Sequence, residues 1–273
     1  MITSLSNPQI KHVAMLQKKA KYRSEQRQFV AEGVRMVQET PQELLVRLYL
    51  SESFVPDRHV KKWLEGKKTE VLSEKVFREL SQTQTPQGIM AVVRMRSLNV
   101  DELLEGSRFL LLEAVQDPGN LGTILRTAEG AGMDGIFMSR TCVDIYNPKV
   151  VRSTMGSLYR VPFAYADDFY SLICRMKAQG ITVYAAHLKG QFNYYEADLS
   201  GRCAFMIGNE ANGLSYDAAV LASEYIKIPM SGQLESLNAA MAAGILMYEM
   251  RRQRELSYSY AANSKCFQPG CKD

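Results

Sequence analysis

From Phe109 onward, uninterrupted apolar runs alternate with stretches of helical periodicity, and this alternation restricts the fold more than any other feature. Phe109–Val115, Gly135–Met138, Ile181–Ala186, Cys203–Ile207 and Tyr225–Ile228 read as strands. Leu121–Glu129, a segment around Asn147–Leu158, Asp168–Gln179 and a long stretch beginning near Ser236 read as helices between and after them. Strands that are apolar on both faces need cover on both faces, so the pattern predicts an α/β domain with a largely parallel sheet. Ligands of such sheets bind in the loops at the carboxyl ends of the strands.

The first 97 residues differ in charge and pattern. They carry 17 Lys and Arg against 10 Asp and Glu, whereas the whole chain nets only +4, leaving the remainder at −3. Lys11, Lys18, Lys19, Lys21, Arg23 and Arg27 meet one acid, Glu25, in the first helical stretch. Such a segment is either a polyanion-binding module joined to the sheet domain or a lysine-rich solvated helix face. Phe29, Val30, Val34 and Val37 suit a helix face or a short strand leading into one, and Val46–Leu50 and Ile89–Val93 are β-rich. Tyr22, Phe29 and Tyr49 fit a core better than a base-stacking surface. Residues 98–107 have little core signal and read as a linker, giving domains of 1–97 and 108–253 and a tail of 254–273 that is expected to be irregular.

Several chemistries are excluded. The five cysteines form no CxxC pair, so neither a disulfide framework nor a metal site is expected. No apolar run approaches the roughly 18 residues of a membrane span, and the N-terminus lacks a secretory layout, which predicts a cytoplasmic chain. Gly130–Gly135 spells GxGxxG but follows a helix and precedes a strand, the reverse of the dinucleotide-binding context. Histidine-based triads have little support, since His187 is the only histidine after residue 59.

Three segments that follow strands stand out. Gln116–Gly132 (QDPGNLGTILRTAEGAG) makes a turn, with Asn120 as a helix cap and Arg126 either solvated or aimed from the helix. Met206–Ser215 (MIGNEANGLS) places Glu210 after a strand, as an exposed turn acid or a polar anchor, beside Gly208, which permits a close backbone approach. Ile228–Met250 (IPMSGQLESLNAAMAAGILMYEM) places Ser236 and Asn238 at a helix start, as caps or as ligand-facing groups. Leu237, Ala240, Met241, Gly244, Ile245 and Tyr248 then form a helical stripe suited to core or subunit contact.

Together and in this order, the three segments resemble motifs 1, 2 and 3 of the SpoU family of RNA ribose 2′-O-methyltransferases, of the SPOUT class. The N-terminal stretch, LSNPQIKHVAMLQ through TPQGIMAVV, resembles the substrate-binding domain that precedes many SpoU catalytic domains. The resemblance implies an α/β-knot catalytic domain with a deep C-terminal trefoil knot, after a small α+β (L30e-like) RNA-binding domain. It implies S-adenosylmethionine as cofactor, held by Gly208, Asn209, Ile228, Met230, Leu237 and Ala186. It assigns the polar active-site positions to Asn120, Arg126, Glu210, Ser236 and Asn238, and the phosphate contacts of the first domain to the basic residues named above. It also implies a homodimer acting on RNA, with ribosomal RNA favoured over transfer RNA. The rivals are a non-catalytic RNA-binding protein on the same scaffold and an enzyme that methylates a base nitrogen.

Overall fold

A computed structural model describes residues 1–96 and 98–265, with side chains as far as Leu256. The N-terminal part opens with α1 (Pro8–Lys18), where Asn7 caps by accepting from the Gln9 N–H at 2.9 Å and Pro8 takes the first-turn position that needs no N–H. After it come α2 (Ala20–Gln26), β1 (Gln28–Glu32), α3 (Val34–Gln38) and β2 (Leu45–Ser51). Next are α4 (Arg58–Leu64), β3 (Thr69–Leu72), α5 (Glu74–Leu80) and β4 (Ile89–Arg94). The sheet order is β1-β4-β2-β3, with β4 antiparallel to both neighbours and β2 parallel to β3. Phe29 and Tyr49 are 1% and 2% exposed, so both are core residues and not stacking platforms. In the charged stretch before β3, Asp57 caps α4 through the Val60 N–H, and Val60 is buried.

The α/β part begins with α6 (Val100–Leu103) in the segment read as a linker. Leu103 and Leu104 are buried in the same core as Phe109, Phe137 and Met206. Then come β5 (Arg108–Leu112), α7 (Pro118–Ala131), β6 (Gly135–Ser139), α8 (Pro148–Ser153), β7 (Phe163–Ala166) and α9 (Phe169–Ala178). The chain continues through β8 (Thr182–Ala186), β9 (Phe192–Asn193), β10 (Cys203–Ile207), α10 (Tyr216–Ala219), β11 (Glu224–Lys227) and α11 (Ala239–Lys265). Among the described residues the sheet runs β7-β6-β5-β10-β8-β11-β9, and every neighbouring pair is parallel. The α/β expectation therefore holds, with edge strands β7 and β9 added. Gly132 sits at φ +73 as the αL cap that ends α7, which accounts for part of the GxGxxG string without any nucleotide.

The long helix starts at Ala239 rather than near Ser236 and continues to Lys265, into the segment expected to be irregular; residues 266–273, with Cys266 and Cys271, lie outside the described residues. Ala239, Ala240, Ala243, Leu246, Met247 and Met250 face the core. Each of the three large side chains in that set contributes roughly 1.5–3 kcal/mol by leaving water. Met241 and Tyr248, from the stripe read in the sequence, are more than half and half exposed respectively, because the buried face is rotated from it.

By packing, the chain forms two compact units: one gathers Met1–Ser97 with Leu121–Arg126 and Val143–Arg160, and the rest makes the other. Within the first, Arg23 is 3% exposed and donates to Asp144 (Nε to Oδ2, 2.8 Å) and to the Leu16 carbonyl (2.7 Å). Phe29 packs on Tyr146 with ring centroids 4.8 Å apart, and Thr40 donates to the Tyr159 hydroxyl at 2.9 Å.

Candidate active site

The site is built from loops that leave the carboxyl ends of neighbouring parallel strands. α7 begins at Pro118, and its cap is Asp117, whose Oδ1 accepts the Asn120 N–H at 2.8 Å. Asn120 is thus not the cap that the sequence suggests. It lies in the first turn, which leaves its side chain free to reach across to other loops.

That side chain is the centre of a three-loop network. Glu210, after β10, accepts from Asn120 Nδ2 at 3.0 Å and from the backbone N–H groups of Asp117 (3.0 Å) and Gln116 (3.1 Å). Asn120 Oδ1 accepts from Asn238 Nδ2 at 2.8 Å. Asn238 Oδ1 accepts the N–H groups of Ala240 (2.9 Å) and Met241 (3.3 Å), making Asn238 the cap of α11. Both sequence readings of Asn238, cap and polar contact, are realised at once. The network also fixes its own polarity. An ionised carboxylate only accepts, so Asn120 must donate from nitrogen and accept at oxygen, and Asn238 must do the same. Each amide keeps one N–H for another partner. Burial raises the Glu210 pKa, but hydrogen bonds from Asn120 and from the Gln116 and Asp117 N–H groups outweigh it and hold the carboxyl below its ordinary value.

Beside this network lies a cleft of about 850 Å³, within the roughly 300–1,000 Å³ range of small-molecule sites. Its walls are the ends of β8, β10 and β11 with the loops that follow them, residues 187–189, 208–214, 228–230 and 232–237; Leu246 of α11 also lines it. Ala186, Gly208, Asn209, Ile228, Met230 and Leu237, the predicted cofactor residues, all line it, as do Glu210 and Ser236. Asn209 ties its own loop down, donating to the Ala114 carbonyl at 2.9 Å and accepting from Ala211 and Asn212. A Cβ on Gly208 would stand 2.1–2.2 Å from the backbone of Gly213 and Leu214. The close approach foreseen at Gly208 is therefore made by the protein's own returning chain. His187, Leu188 and Lys189 also line the cleft, although sequence reading singled out only Ala186 from that loop. The signal for them was their place at the end of a parallel strand.

Arg126 stands apart from the network. It lies six residues after Asn120 on α7, which turns it roughly 240° around the helix axis and advances it about 9 Å. It is exposed and makes no hydrogen bond or ion pair among the described residues. Of the basic residues predicted to meet RNA, Lys11, Lys18, Lys19, Lys21 and Arg27 are exposed, whereas Arg23 is spent on Asp144 and the Leu16 carbonyl. A second cavity, of about 360 Å³ in the N-terminal part, has Ser51, Ser53 and Glu74 in its wall. There, hydrogen bonds from Ser51, Ser53 and Arg78 lower the Glu74 pKa to about 2, and Arg78 pairs with the carboxylate at 2.9 Å.

A family model described as the SpoU rRNA Methylase family matches residues 107–248. The chain belongs to the SpoU rRNA methylase family. A second model, the MRM3-like substrate binding domain, matches residues 7–91. The SpoU chain is 36% identical over 259 residues to the 23S rRNA (guanosine(2553)-2′-O)-methyltransferase RlmP of Bacillus subtilis, spanning 92% of this chain and 98% of that one. The SpoU methyltransferase AviRb from Streptomyces viridochromogenes, solved in complex with AdoMet, superposes with a TM-score of 0.81 at 25% identity, covering 92% of this chain and 100% of that chain. An AdoMet-bound rRNA methyltransferase from Sinorhizobium meliloti superposes at 0.79 with 32% identity, covering 92% and 97%. The fold is thus that of the SpoU methyltransferases in both its parts.

Proposed function

We propose that this chain is an S-adenosylmethionine-dependent enzyme that methylates a ribose 2′-OH of ribosomal RNA. The observation that carries the reading is the Glu210–Asn120–Asn238 network, which locks the three motif loops together and includes Glu210 of the cleft wall. The cleft fits the cofactor by volume and by its mixture of backbone groups and apolar side chains from Leu188, Ile228, Leu237 and Leu246. Ala186, Gly208, Asn209, Ile228, Met230 and Leu237 would hold it. When bound, S-adenosylmethionine supplies an electrophilic methyl group on a sulfonium.

The protein's own work is positioning and electrostatics. In-line attack demands a fixed geometry, and holding two reactants in it lowers the barrier by several kcal/mol. Asn120, Ser236 and Asn238 orient ribose and cofactor, while Glu210 keeps Asn120 in one amide orientation. Arg126 clamps the phosphate of the target nucleotide and stabilises the developing alkoxide. It is not the base, because a guanidinium keeps its proton.

No helix among the described residues is long and apolar enough to cross a membrane, and we place the enzyme in the cytoplasm with its RNA. We also assign it a homodimer through the solvent-facing side of α11, where Met241 and Tyr248 are 59% and 50% exposed. The trefoil knot belongs to the same proposal. It is supported by the insertion of β10 between β5 and β8.

The test is transfer from labelled cofactor to unmodified ribosomal and transfer RNA, digestion to nucleosides, and mass-spectrometric location of the methyl group. The reading expects a ribose methyl on ribosomal RNA, and near-complete loss of transfer in Arg126→Ala with cofactor affinity kept. A base methyl, a transfer RNA product, cofactor binding without transfer, or normal turnover in Arg126→Ala overturns the corresponding assignment.

A further inference from the structure

The partnerless Arg126 has company. Within the compact unit that contains it, the segments Leu121–Arg126 and Val143–Arg160 carry four cations, Arg126, Lys149, Arg152 and Arg160, against one acid, Asp144. Asp144 is neutralised by Arg23, and Arg160 is engaged by Glu39. Arg126, Lys149 and Arg152 have no side-chain hydrogen bond or ion pair among the described residues. Lys149 is exposed and Arg152 is half-buried.

The helices that carry these three touch closely. A Cβ on Gly122 of α7 would stand 2.3 Å from Ser153 Cβ on α8 and 3.2 Å from the Ser153 backbone. Only a glycine allows α7 and α8 to meet at this distance. Arg126 lies four residues beyond Gly122 and therefore on the same face of α7. Lys149 lies four residues before Ser153, whose Oγ donates to the Lys149 carbonyl at 2.8 Å, and Arg152 adjoins Ser153. One turn of helix is about 5.4 Å, so all three side chains extend from within about one turn of a single helix contact. The loop that leads into α8 is held to α2 and β1 by Arg23–Asp144 and by Phe29 on Tyr146. Unpaired cations on a support whose one acid is already neutralised are what a polyphosphate backbone requires.

We propose that Lys149 and Arg152 form, with Arg126, a phosphate track that holds the RNA backbone flanking the target nucleotide. The inference rests on the RNA reading above and extends it from the predicted N-terminal lysines to α8. It assigns Lys149 to a point contact and Arg152 to a forked one. Both are positioning residues for RNA, separate from the cofactor cleft.

The test measures binding of the full chain to an unmodified in vitro transcript of bacterial 23S ribosomal RNA between 50 and 200 mM salt. The variants are the double substitution Lys149→Gln with Arg152→Gln, and the charge-conserving pair Lys149→Arg with Arg152→Lys. Loss of two single-strand phosphate contacts lowers the slope of log affinity against log salt by about 1.4. The double Gln variant should show that change and about tenfold weaker binding at 100 mM, with cofactor affinity as the check that the fold is intact. The charge-conserving pair should recover the slope, which a purely structural role would not produce. Methyl mapping on the wild-type chain runs in parallel. A ribose methyl with a wild-type slope in the double variant overturns the track alone. A base methyl with a reduced slope overturns the ribose assignment and leaves the track standing. No RNA affinity in the wild-type chain overturns both.

Discussion

Replacing Glu210 with Gln changes one atom and reverses one rule of the network. The carboxylate accepts from Asn120 Nδ2 and from the N–H groups of Gln116 and Asp117, all at 3.0–3.1 Å, on its two oxygens. A glutamine has a single acceptor oxygen, and its NH₂ would face donors whichever way the amide is turned. Keeping two of the three contacts leaves the third donor opposed by another donor. A lost charge-assisted hydrogen bond is worth about 1.5–3 kcal/mol when buried. Glu210 is solvent-exposed, so water recovers part of this, and the expected cost to folding is about 1 kcal/mol. The effect on turnover is larger, because the orientation that keeps the two Oε1 contacts turns the NH₂ onto the Gln116 N–H and displaces the turn before α7 that carries Asn120, which in turn receives Asn238. We expect kcat/KM to fall at least tenfold for Glu210→Gln, with cofactor affinity reduced much less. Steady-state methyl transfer, calorimetric cofactor titration and a melting curve on the same preparation separate these terms. The pH profile adds an independent check. The depressed Glu210 pKa means that the stability the ionised network contributes is present above the ordinary carboxylate range and is lost as pH falls through the lowered folded value. Wild-type activity should therefore survive mild acidification and fall below the usual glutamate range, whereas the variant lacks that Glu210-linked step. Wild-type kcat/KM in Glu210→Gln would refute the polarity argument.

Two further substitutions probe the frame around the site. Gly208→Ala places a methyl group 2.1–2.2 Å from the Gly213 and Leu214 backbone, which no rotamer change relieves. Overpacking of this kind costs about 1–3 kcal/mol, so cofactor affinity should drop tenfold or more, and an unaltered dissociation constant would show that the loop moves freely. Arg23→Ala uncovers Asp144 and the Leu16 carbonyl inside the N-terminal unit. Breaking a buried pair costs about 3–5 kcal/mol, and with Asp144 a quarter exposed the expectation is about 2–4 kcal/mol. Arg23→Ala should lower the melting temperature by roughly 5–10 °C, while Lys19→Ala should leave it within a degree or so; equal melting curves would contradict the burial.

What the sequence revealed and what it hid divide along physical lines. The central strands were legible because residues such as Leu110, Phe137 and Phe205 are buried on both faces and leave apolar runs that need no partner to be seen. The edge strand Phe192–Asn193 was not, since two residues paired on one side carry no periodicity. Arg23 illustrates the opposite failure. Its neighbours Lys18, Lys19 and Lys21 are solvated, and nothing local distinguishes it from them. Only Asp144, 121 residues away, decides that it is structural. Leu103 and Leu104 likewise read as a thin signal in a polar linker until Phe109 and Phe169 are placed against them. At the site, the residue types were legible as motifs, but their connectivity was not. Asn120 read as a cap because Asn favours that position, yet Asp117, three residues earlier, wins the competition for the cap position, its Oδ1 accepting the Asn120 N–H itself. That competition frees the Asn120 side chain to bridge Glu210 and Asn238. The network therefore depends on a local choice of helix start, and moving the cap by three residues would disconnect motif 1 from the other two.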